Sequence, residues 1–142
     1  MIYTLSIKCV WGAYLKEQCT RVIEIGDDLN LYSLHDIIQD SVKFERDHPF
    51  GYFLAHTERG AKEWLCTDEE WEEQETYFYE TELRAVFPTG RRHLFYVFDF
   101  GDQWTFEIRK ARGSKSPVPG IVYPRVIERS GPNPVQYPSY DD

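Results

Sequence analysis

The segment RRHLFYVF, residues 91–98, followed by DFGD and then QWTFEIRKA, residues 103–111, constrains the fold of this chain more than any other stretch. Both arms alternate and are rich in aromatic and β-branched residues, with a glycine between them, which predicts an antiparallel hairpin. Trp104 and Phe106 fall on one face of the return arm, with Gln103 and Thr105 on the other, so both rings are expected in a core. Asp99 suits the corner because its carboxylate accepts hydrogen bonds from backbone N–H groups just ahead of it, and Gly101 can take the positive φ of a tight bend. The competing reading makes Asp99 and Asp102 an acid–base or metal-binding pair. That reading needs both carboxylates within reach of a substrate and at least one perturbed pKa.

The remaining elements obey the same logic. In MIYTLSIKCV the residues Tyr3, Leu5, Ile7 and Cys9 share a face, and CTRVIEI returns, so residues 2–25 read as a second hairpin. LYSLHDIIQDSVKF carries Leu31, Leu34, Ile37, Ile38, Ser41 and Val42 at helical spacing behind the N-cap Asn30, with His35 at the edge of the stripe. Pro49 and Gly51 mark a turn into a short strand from Tyr52 to His56, TERGAKEWLC a turn and strand, and TDEEWEE a helix start capped by Thr67. ELRAVFP reads as one helical turn closed by Pro88, and IVYPRVIERSG as a last strand. Residues 113–120 read as a flexible connector and 131–142 as an extended Pro-rich tail. The sum is a single α+β domain over residues 1–142, a mostly antiparallel sheet with one main helix packed on it.

Charge and cysteines narrow the function classes. The net charge of −8, from 24 acids against 16 Lys and Arg, disfavours generic affinity for nucleic acid. The strip Arg84, Arg91, Arg92, Arg109, Lys110, Arg112 and Lys115 is the one local exception. Three cysteines, Cys9, Cys19 and Cys66, do not make a secreted disulfide framework and are expected as reduced core residues. With no long apolar run and a polar N-terminus, a cytoplasmic chain without a membrane span is the expectation. Between Glu63 and Glu82 there are nine acids and no Lys or Arg, interleaved with aromatics including Trp71 and Tyr77. Such a stretch can serve as an acidic-aromatic surface for a protein partner. The four histidines, His35, His48, His56 and His93, lack metal-ligand spacing, though His35, His48, Asp99 and Asp102 could assemble in space. No cofactor is expected.

Taken in order, LYSLHDIIQDSVKF, FYVFDFGDQWTFEI and YPRVIERSGPNPVQYP resemble the plasmid pRiA4b ORF-3-like family, also known as an insertion-element passenger and TnpR-like protein family. Leu34, His35, Ile38 and Gln39 match its helix motif; Asp99, Phe100, Gly101, Asp102 and Trp104 match its hairpin, and Tyr123 and Pro124 its last segment. Phe98 and Phe106 stand where the family commonly has Tyr and His. The resemblance implies an α+β fold, an origin on a plasmid or other mobile element, and no established activity.

The resulting expectation is a small binding or adaptor protein, non-enzymatic, meeting another protein. The candidate binding residues are His35, Gln39, Asp99, Asp102, Trp71 and Tyr77, and the structural motif is Leu34, Ile38, Phe100, Gly101, Trp104, Tyr123 and Pro124. The alternatives are a metal-dependent or acid–base enzyme using Asp99, Asp102 and His35, and a nucleic-acid-binding accessory factor of a transposition system.

Overall fold

The structure is a computed structural model that describes residues 1–67 and 75–138. Its strands are β1 (Ile2–Trp11), β2 (Cys19–Gly26), β3 (Phe50–Ala55), β4 (Glu63–Thr67), β5 (His93–Phe98), β6 (Trp104–Lys110) and β7 (Arg125–Ser130). They form one antiparallel sheet in the order β4-β3-β5-β6-β1-β2-β7. The helices are α1 (Leu31–Val42), α2 (Glu75–Glu80) and α3 (Leu83–Val86).

This corrects the expected α+β class. The helices hold 12, 6 and 4 residues against a seven-stranded sheet, so the fold is nearly all-β. ELRAVFP forms the single helical turn expected of it, α3, and most of the TDEEWEE helix start lies outside the described residues.

Each expected hairpin forms in the register that its alternation demands. Tyr3, Leu5, Ile7 and Cys9 stand opposite Ile25, Ile23, Arg21 and Cys19. Phe98 pairs with Trp104 and Tyr96 with Phe106. The apolar members of these pairs face inward, where α1 lays Leu31, Leu34, Ile38 and Val42 over them. Asn30 caps α1 by accepting from the Ser33 N–H at 2.8 Å. Lys43, at φ 58°, stops it in the left-handed conformation.

The hairpin corner differs from expectation in one respect. Gly101 is not the left-handed residue; Asp99 at φ 63° and Gln103 at φ 53° are. The carbonyl of Asp99 accepts from the Gln103 N–H at 2.6 Å and closes the turn. Asp is among the few non-glycine residues that tolerate this conformation, since its short side chain bonds the local backbone. Trp104, fully buried, starts the return strand and packs edge-on against Phe44 at 5.1 Å between centroids.

A buried cation ties the chain's end to this core. Arg21 points inward from β2 and donates to the carbonyls of Ser41, Thr20, Ser130 and Gly131, and to Asn133 Oδ1 at 2.6 Å. Its charge sits at the carbonyl end of α1, where the helix dipole favours a cation. The connector is also held, since Ile2 and Lys115 exchange backbone hydrogen bonds of 2.7 and 3.1 Å. Glu24, buried on β2, pairs with Arg125 at 2.6 Å and with Lys115. In the tail, Gln136 is buried and accepts from the Glu45 N–H at 2.7 Å. No helix among the described residues is long and apolar enough to cross a membrane.

Candidate functional site

The residues singled out from sequence fall in separate places. Asp99 Oδ1 accepts from the N–H groups of Gly101 at 3.0 Å and Asp102 at 3.3 Å. Its Oδ2 lies 3.5 Å from His48 Nε2, which in turn is 2.9 Å from the Tyr137 hydroxyl. Tyr137 donates to Asp47, and that hydrogen bond raises its pKa to about 12. The Asp102 carboxyl is also pushed up, by desolvation first and then by the Asp99 charge. The corner acids are thus gathered with His48 and the tail.

His35 and Gln39 sit elsewhere, between α1 and the inner face of the sheet. His35 stacks on Phe50 at 3.8 Å between centroids, with Nδ1 2.5 Å from the Tyr96 hydroxyl. Gln39 Nε2 donates to the same hydroxyl at 2.9 Å, and Gln39 Oε1 has no hydrogen-bond partner among the described residues. Burial, and secondarily the Arg46 charge, holds the His35 pKa down at about 4, so the ring is neutral at pH 7. Leu34 and Ile38 are fully buried beside it. Tyr77 is exposed on α2, while Trp71 lies outside the described residues. Tyr123 accepts from the Val118 N–H at 3.2 Å, and Arg125 covers its ring. Among the described residues, no group of three or more His, Cys, Asp or Glu is placed to hold a metal ion.

A different site emerges on the outer face, the side away from α1. A one-sided antiparallel sheet shows polar residues there. Here Phe53, Ala55, Phe95 and Val97 form a second buried cluster, with Phe53 and Phe95 stacked at 5.0 Å. Above it opens a cleft of about 390 Å³ walled by Trp11, Trp64 and Phe100 and floored by Phe53, Val97 and Thr105. Glu58, Arg59, Lys62 and Gln103 complete the lining. Trp11 and Trp64 are each 45% exposed.

Two β-bulges place those tryptophans. Strict alternation from Cys9 would turn Trp11 inward, but the β1–β6 register shifts between Cys9 and Trp11, so Trp11 stands opposite the outward Thr105. Likewise Trp64, two positions before the inward Cys66, is carried to the outward Phe53 by a shift between Tyr52 and Phe53. A bulge inserts one residue in one strand and reverses the facing of the residues beyond it. The apolar outer positions Phe53 and Phe95 were the available sequence signal for this face. The reorientation of the two tryptophans carries no signal that periodicity can detect.

The family model described as plasmid pRiA4b ORF-3-like protein matches residues 3–136. The chain belongs to this family. The pRiA4b ORF-3-like fold is also seen in the crystal structure of a protein of unknown function from Methanosarcina mazei Go1, at a TM-score of 0.66 and 18% identity, covering 93% of this chain and 70% of that one. At that identity the likeness establishes the fold alone. No curated protein matches the sequence.

Proposed function

We propose that this pRiA4b ORF-3-like chain is a non-catalytic binding domain, and that its recognition surface is the Trp11–Trp64 cleft. The observation that carries this reading is the pair of independent bulges, each of which turns a tryptophan out of the core and onto the rim of one cleft. Leaving a large ring about half in water forgoes part of the roughly 1.5–3 kcal/mol that full burial of a large apolar side chain supplies, and a solvent-facing pair of that kind favours contact with a ligand. An acid–base role for Asp99 finds less support, because its carboxylate already serves the N–H groups of its own turn. His35 is sealed beneath the sheet. Partner contact through the acidic 63–82 stretch would rest on Tyr77 and Tyr79, both exposed on α2.

The test uses indole as a neutral aromatic probe, followed by NMR on the tryptophan indole N–H signals. Saturable shifts of the Trp11 and Trp64 signals, with the buried Trp104 signal unmoved, are expected. Shifts that are absent, or that spread without regard to the cleft, would overturn the proposal.

A further inference from the structure

Taking the cleft as the binding surface, we infer that it is built for a planar aromatic anion, a nucleoside monophosphate. Among the described residues Trp64 packs beside Phe53 at 5.1 Å and Phe100 at 6.0 Å between centroids, whereas the Arg59 guanidinium lies over Trp11 at 5.4 Å. Both tryptophans line one cleft, and no ring contact joins them among the described residues, so their exposed ring surface is open to a flat base.

The charges select the rest of the ligand. Lys62 Nζ lies 5.1 Å from the Phe53 ring centroid, and neither Lys62 nor Arg59 is in an ion pair among the described residues. Arg46, Arg84, Arg92, Arg109, Lys115 and Arg125 do pair with carboxylates, on a chain of net charge −8. Two cations held beside the rings, with no ion pair among the described residues, match a phosphate, which carries close to two negative charges at pH 7, better than a carboxylate. A cationic ligand is disfavoured because Arg59 and Lys62 already lie over Trp11 and Phe53 and would repel it. Glu58 can only accept hydrogen bonds, which suits ribose hydroxyls, and the Gln103 amide offers both a donor and an acceptor to a base edge. A cleft of about 390 Å³ lies within the range for small-molecule sites.

The test compares AMP, adenosine, ribose 5-phosphate and a short single-stranded DNA, read by the same indole N–H signals and by calorimetry. AMP is expected to bind saturably and at least about tenfold more tightly than adenosine or ribose 5-phosphate, given two charge-assisted hydrogen bonds. The double variant Arg59→Gln/Lys62→Gln, both exposed positions, is expected to bring AMP down to the adenosine level. Equal affinity for AMP and adenosine would overturn the anion assignment while indole binding still upheld the cleft. Tight binding of ribose 5-phosphate alone, or of DNA without AMP, would overturn the mononucleotide. Failure of all probes together with indole would remove both proposals.

Discussion

Gly12 lies against the face of the Trp104 indole: a Cβ placed on Gly12 would stand 2.3 Å from Trp104 Cε3. The ring that anchors the β5–β6 corner is therefore held by a missing side chain at the end of β1. Gly12→Ala must push the indole out of its buried position, and overpacking of this kind costs about 1–3 kcal/mol. Urea unfolding should show the loss in midpoint. An unchanged midpoint would mean that the indole has room to move.

Asp99 combines a left-handed backbone with two backbone N–H acceptances. Asp99→Asn keeps the oxygen and tolerates the conformation, so its stability should stay within about 0.5 kcal/mol of wild type. Asp99→Ala loses both features and should cost roughly 2 kcal/mol. Equal stability of the two variants by chemical denaturation would exclude a turn-holding role.

His35 gives the protein a defined acid sensitivity. Its folded-state pKa is lowered from 6.5 to about 4, so below pH 6.5 the unfolded chain binds a proton that the folded chain does not. Stability from this ring is complete above pH 6.5 and is lost as pH falls toward 4, by up to about 3 kcal/mol. Denaturation curves at several pH values should be steeper in pH for wild type than for His35→Gln across this window. Parallel profiles would count against a buried neutral histidine.

Arg21 serves five oxygens and no carboxylate. Arg21→Met keeps the apolar stem but removes a donor from the part-buried Thr20, Ser130 and Gly131 carbonyls and leaves Ser41 with Arg129 alone, at a cost of roughly 2 kcal/mol. Hydrogen exchange should quicken first at the end of β7 and just beyond it, where Ser130 and Gly131 lose their donor. Uniform protection in variant and wild type would show that the tail is held by other contacts.

These features were unequally legible in the sequence. Asn30 as a cap and Trp104 as a core ring follow from local spacing, because capping and alternation act within a few residues. The α+β class went astray because the one clear helix, Leu31–Val42, was weighted as a layer of its own, while strands account for most of the described regular structure. The positive φ fell on Asp99 rather than Gly101 because a five-residue corner places its strain by closure geometry, and residue type alone does not reveal that. The cleft was least legible. Trp11 and Trp64 meet only through sheet order, and each reaches its face through a bulge that breaks the very period on which strand patterns depend.

The sheet order also has a consequence for synthesis. β1 lies between β2 and β6, so the β1–β2 hairpin leaves a ribosome with an apolar face and an unpaired edge whose partner is encoded only at Trp104–Lys110. Until those residues emerge, Leu5, Ile7, Ile23 and Ile25 have no completed sheet to join. A topology so dependent on distant pairing folds slowly, on the order of milliseconds to seconds. The nascent hairpin is the stage at which this chain is most open to aggregation and to chaperone capture.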